Sequence, residues 1–225
     1  MQFSAVLSWS GFKAWVFGPD HHAVAREARG LASSALPAGE RLVDSHVVVI
    51  GEGVPTPPGR LRADVFPDAG SATDRRLDRA AKAERFLDRM NPVNAVVDAF
   101  DDRGGRAEQT LSGGWESAAG QLACALQPRA GSNFVSVLLL GDRGLHVVHV
   151  QKSPNGHKAG PGTHYGWGVP LRRVTWFRKR NGAKHGTHEI GFDDGSWVRV
   201  LFPVAGWGTL VEALAGLDGG SSPVR

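Results

Sequence analysis

The stretch Phe134-Val135-Ser136-Val137-Leu138-Leu139-Leu140-Gly141-Asp142-Arg143-Gly144-Leu145-His146-Val147-Val148-His149-Val150-Gln151 decides the fold. From Asn133 the apolar pattern takes a period of two, which suits strands and not helices. Residues 134–140 are apolar almost throughout and read as a central strand. Gly141-Asp142-Arg143-Gly144 is the turn of a hairpin, and residues 145–151 are its returning strand.

Working outward toward the C-terminus, residues 153–168 hold five glycines and two prolines and read as an irregular loop. Residues 169–179 read as a strand. Residues 189–192 and 196–202 form a second hairpin across Asp193-Asp194-Gly195. Residues 206–217 are a final helix, with Trp207, Leu210, Val211, Leu214 and Leu217 at helical spacing. Residues 218–225 are expected to be a flexible tail.

Toward the N-terminus, residues 2–17 alternate as two short strands. A helix follows, with Asp20 as N-cap and Val24, Ala28, Leu31 and Ala35 on its apolar stripe. Pro37-Ala38-Gly39 ends it, and residues 41–50 read as a strand rich in β-branched residues. Residues 51–70 are loop. Residues 72–90 are an amphipathic helix, broken by Asn91-Pro92 before a short helix to Phe100. Residues 115–126 form another short helix, with Trp115, Ala119, Leu122 and Leu126 in register. The fold class is α+β.

Three local patterns carry a family resemblance. Leu138-Leu139-Leu140-Gly141-Asp142-Arg143-Gly144-Leu145 resembles the strand–turn–strand of bacterial pleckstrin-homology-like (PH/GRAM-type) domains. Trp167-Gly168-Val169-Pro170-Leu171-Arg172-Arg173-Val174 resembles that family's W-x-I-P-L-x-x-I strand. Ile190-Gly191-Phe192-Asp193-Asp194-Gly195-Ser196 resembles its late I-x-F-x-D-G-S hairpin. The resemblance covers about residues 130–217.

It implies a bent antiparallel sheet, barrel or sandwich, closed by the C-terminal helix. It also implies a binding platform for phosphoinositides, peptides or protein domains, not a catalyst. Residues 1–129 are then an N-terminal α/β region or extension. Either residues 41–50 supply a strand to the sheet and make 51–130 a helical insertion, or the N-terminal half is its own α/β unit.

Charge is unevenly spread. Residues 1–142 are net −2 and residues 189–225 net −3, whereas residues 143–188 hold 9 Lys/Arg and no Asp or Glu. One reading is a set of solvated strand faces neutralised by acids from elsewhere in the chain. The other is a recognition surface built by Lys152, Lys158, Arg172, Arg173, Arg178, Lys179, Arg180 and Lys184. Its expected partner is an acidic protein segment or an anionic membrane surface, at about 1 kcal/mol per basic residue near the lipid. Nucleic acid is the alternative, because Tyr165, Trp167, Trp176 and Phe177 interleave with the cations. Alternation assigns Val174 and Trp176 to one face of their strand, and Thr175 and Phe177 to the other.

No catalytic residue, metal ligand set or cofactor motif is expected. His146 and His149 are three apart, which places them on opposite faces of a strand. Neither a P-loop, a nucleophile elbow nor a dinucleotide fingerprint is present. An enzyme site assembled between the two halves is the third functional reading. The lone Cys124 lies in a small-residue helix and reads as core packing. With one thiol, no basic leader and no apolar run of about 18 residues, the expectation is a cytoplasmic protein, peripheral at the membrane if lipid is the partner.

Overall fold

The computed structural model describes residues 21–66, 109–129, 134–153, 158–180 and 186–203, with Leu210, Glu212 and Leu214. The strands expected in 2–17, the helices expected in 72–90 and 92–100, the 218–225 tail and Lys184 lie outside the described residues. So does most of the expected 206–217 helix.

The architecture is α+β, with two antiparallel sheets. The elements in chain order are α1 (His21–Ser33), β1 (Leu42–Val47), β2 (Val49–Ile50), β3 (Leu111–Ser112), α2 (Ala118–Ala125), β4 (Phe134–Gly141), β5 (Gly144–Lys152), β6 (Ala159–Pro170), β7 (Val174–Lys179), β8 (Thr187–Phe192) and β9 (Trp197–Leu201). The first sheet has the order β1-β4-β5-β6. The second runs β2-β9-β8-β7, and β3 also pairs with β9.

β1 and β2 are one extended run that changes sheets. Val47 pairs with Val137 of β4, and the next residue but one, Val49, pairs with Leu201 of β9. Val48, at the crossing, is fully buried. The run 41–50 is thus a strand beside β4, and it ties the two sheets together along one corner. At the other corner β6 passes to β7 through a 3-10 turn, Leu171–Arg173, and no β6–β7 ladder closes the two sheets into a barrel.

Alternation on β4 and β5 splits the core in two. Leu138, Leu140, Leu145 and Val147 point between the sheets, toward Ile190, Phe192, Val198 and Val200. Val135, Val137, Leu139, Val148 and Val150 point the other way, onto α1, where Val24, Ala25, Ala28 and Ala32 are buried. The alanines bring the helix backbone close to the valine-rich face. A strand buried on both sides has no polar face, which explains a run in the sequence that is apolar but for Ser136.

α2 sits in the inter-sheet core. Its sequence, AAGQLACA, is small enough to be buried on nearly every side, and Cys124 is buried there as a free thiol. The β8–β9 turn caps its N-terminus. Ala118 N donates to Asp194 Oδ2 at 2.9 Å, Ala119 N to Ser196 Oγ at 3.1 Å, and Gly120 N to Ser117 Oγ at 3.1 Å. Three of the four orphan N–H groups of a helix start are thereby satisfied. Burial alone would push the Asp194 carboxyl upward, but the bonds from Ala118 and Ser196 hold it below the usual carboxylate range. Leu210 and Leu214 are helical and buried in the same core, while Glu212 between them is exposed.

Two expectations are corrected. Residues 159–170 form the longest strand among the described residues, although 153–168 were expected to be loop, and the single strand expected over 169–179 is broken by the 3-10 turn at Leu171–Arg173. The glycines of β6 face bulky neighbours. A Cβ at Gly166 would strike His149, and one at Gly162 would lie 2.7 Å from Gln151 Oε1. Glycine here makes room for side chains of the adjacent strand and does not interrupt the ladder.

Candidate recognition surface

The outer face of the second sheet gathers aromatic and basic side chains. Ile190, Phe192, Val198 and Val200 point into the core, so Glu189, Gly191, Trp197 and Arg199 lie on the opposite face, where Trp197 is half-buried and the other three are buried. On β7 simple alternation fails. The register shifts between Val174 and Trp176, leaving Thr175 as an exposed extra residue. Val174 and Phe177 both pack on the core, and Trp176 turns outward opposite Gly191. The face assignment made from the sequence is corrected by this β-bulge.

Gly191 is flanked by Trp176 and Trp197, its partners on either side. A Cβ at Gly191 would strike the Trp176 ring. The two indoles are tilted, with centroids 6.5 Å apart. The Arg178 guanidinium carbon lies 4.6 Å from the Trp176 ring centre, a cation–π arrangement.

One row further along, Arg178, Glu189 and Arg199 stand side by side across three strands. Glu189 is almost fully buried, and three arginines answer it. Arg178 Nη2 lies 2.7 Å from Oε2, Arg180 Nη1 2.9 Å from Oε1, and Arg199 Nη2 3.3 Å from Oε1. Burial pushes the Glu189 carboxyl upward, but the hydrogen bonds from Arg178, Arg180 and Arg199 outweigh it and hold the group below its ordinary value. Three guanidiniums thus converge on one carboxylate. Arg178 is the outermost, with 63% of its side chain exposed.

The basic residues singled out in the sequence do not form one patch. Lys152 is half-buried at the end of β5, where burial pushes its ammonium down, and Lys158 is exposed just before β6. Arg172 and Arg173 lie at the far end of the 12-residue β6, roughly 36 Å along the strand at about 3.3 Å per residue. Arg173 is neutralised within the fold, at 2.9 Å from Asp193 and 3.7 Å from Asp194. Arg172 is exposed beside a cleft that also holds Arg143. Among the described ones, only Arg178, Lys179 and Arg180 share β7 and its end, and Glu189 holds Arg178 and Arg180.

Arg199, Trp197 and Glu189 were not singled out from the sequence, because they lie in the acid-containing C-terminal block. The available signal was the period of two in 196–202, which puts Trp197 and Arg199 on the face away from Val198 and Val200. No protein-family model matches the chain, no curated protein matches it in sequence, and no solved structure matches its fold.

Proposed function

We propose that this chain is a non-catalytic binding protein on a PH-like scaffold, and that it takes an acidic segment of another protein on the outer face of β7, β8 and β9. The scaffold reading is supported by the strand order and by the first strand that serves both sheets. The buried helical leucines near the C-terminus, Leu210 and Leu214, also suit it. The single observation that carries the binding reading is the row of three arginines on one carboxylate beside a tilted tryptophan pair. Aromatic and arginine side chains in adjacent rows are the composition of interface hot spots.

An acidic segment suits this face better than a membrane. Arg199 is buried and Arg180 half-buried, both drawn in toward Glu189. Recessed cations do not project to a headgroup plane, whereas an incoming carboxylate can compete with Glu189 for Arg178. Among the described residues no helix is long and apolar enough to cross a membrane. A cytoplasmic setting follows as part of the proposal.

The test is a parallel titration with an Asp/Glu-rich peptide, a single-stranded oligonucleotide, and vesicles with and without anionic lipid. The reading requires the peptide to bind, with affinity falling as salt rises. Binding only to oligonucleotide, or only to anionic vesicles, replaces it with the corresponding alternative.

A further inference from the structure

A cleft of about 390 Å³ opens where the β4–β5 turn meets the end of β6. This falls within the range of small-molecule sites, about 300–1,000 Å³. Three side chains distant in sequence form a continuous polar chain there. Glu40 Oε2 lies 3.0 Å from His146 Nε2, and His146 Nδ1 lies 2.8 Å from Tyr165 Oη. Glu40 Oε1 accepts from Arg143 N at 3.2 Å. The Glu40 and His146 side chains are each only 7% exposed, while Tyr165 is 46% exposed.

The chain has a defined polarity. His146 donates Nε2–H to the Glu40 carboxylate, so in the neutral ring Nδ1 accepts from the tyrosine hydroxyl. An acceptor in the cleft competes with Nδ1 for the Tyr165 hydrogen, which rotation of the hydroxyl turns outward. Arg143 and Arg172 also line the cleft, and neither makes an ion pair among the described residues. Both oxygens of Glu40, the one carboxylate in the lining, are engaged. The open side of the cleft therefore offers cationic donors and a hydroxyl.

The backbone is shaped around this chain on three strands. A Cβ at Gly141 would strike the Glu40 carboxylate, one at Gly144 would sit 2.6 Å from His146 Nε2, and one at Gly168 would strike the Tyr165 hydroxyl. A tether for the hairpin needs Glu40 and His146 alone. It does not need a half-exposed phenol held over a glycine in a cleft that two arginines also line.

We propose that this cleft binds a phosphomonoester group, held by Arg143 and Arg172 and by the Tyr165 hydroxyl that Glu40 and His146 orient. Two guanidinium forks and a hydroxyl offer more donors than a carboxylate's two oxygens use, and they suit a tetrahedral dianion. The assignment is independent of the outer face of the second sheet.

Tyr165 is the only tyrosine in the chain, so selectively labelled tyrosine gives one magnetic-resonance signal, from this cleft. The full chain is titrated with glycerol 3-phosphate, with sodium chloride at matched ionic strength, and with vesicles containing phosphatidic acid. A saturable shift with the soluble ester identifies a free phosphomonoester. A shift with phosphatidic acid alone identifies a lipid headgroup. In either case the shift must vanish in the Arg143→Ala/Arg172→Ala double variant and persist in Arg60→Ala, an exposed arginine elsewhere. Tyr165→Phe, read by calorimetry, should weaken binding about 5- to 10-fold, the size of one hydrogen bond. No shift with either ester, an equal shift with chloride, or survival of the shift in the double variant overturns the proposal.

Discussion

Arg178 Nη2 lies 2.7 Å from Glu189 Oε2, directly across the β7–β8 pair, and the same guanidinium rests on the Trp176 ring. One side chain thus joins the ion-pair row to the aromatic row. The two rows form one surface because β7 carries a bulge at Thr175, which turns Trp176 to the same side as Arg178.

Glu189→Gln should destabilise the fold by about 3 kcal/mol, because it leaves three guanidiniums around a neutral group, one of them buried. Urea unfolding of both proteins at neutral pH measures this. The Glu189 carboxyl is held low in the folded state, so its contribution is present above the unfolded value of about 4.3. It is lost as pH falls through the lower folded value. In the Gln variant this acid-dependent loss should be absent.

His149 should make stability pH-dependent in a higher window. It is 1% exposed, paired with Ser136 Oγ at 3.0 Å, and burial with the nearby His164 lowers its pKa to about 4. The unfolded chain takes up this proton near the ordinary histidine value of 6.5, before the folded protein does. Stability is therefore full above about 6.5 and declines toward about 4. The loss should total about 3 kcal/mol, and His149→Asn should flatten it while keeping a partner for Ser136. An unchanged pH profile in the variant would place the sensitivity elsewhere.

Tyr165 should ionise above the ordinary tyrosine value of about 10, because burial and then the Glu40 charge both oppose the phenolate. Its absorbance titration is unambiguous in a chain with one tyrosine. Glu40→Gln should bring the midpoint down, and a midpoint unmoved by that change would argue against the Glu40–His146–Tyr165 chain.

Local rules made much of the fold legible. The apolar run 134–140, the Gly141–Gly144 turn and the 145–151 return appear as β4 and β5, and the stripe of Val24 and Ala28 appears as the buried side of α1. What escaped depended on contacts between distant segments. β6 was hidden because its glycines answer His146, His149 and Gln151 on a neighbouring strand, which no local pattern shows. The bulge at Thr175 was hidden because register belongs to a pair of strands. Glu40 is 106 residues from His146, and Tyr165 is 19 residues beyond it on the next strand, so the cleft had no sequence motif. The basic block was visible, but its neutralisation by Asp193 and Glu189 required the hairpin to fold back on β7.

The most direct test of the account is the affinity of an Asp/Glu-rich peptide for the wild-type chain and for Arg178→Glu, measured at low and at physiological salt. The exposed arginine can be reversed with the inner pair, Arg180 and Arg199, still holding Glu189, so circular dichroism should show an unchanged fold. The account predicts salt-sensitive binding that falls about 30-fold or more in the variant, equivalent to about 2 kcal/mol. Equal affinity in the two proteins, or equal binding of a neutral peptide of the same length, would contradict it.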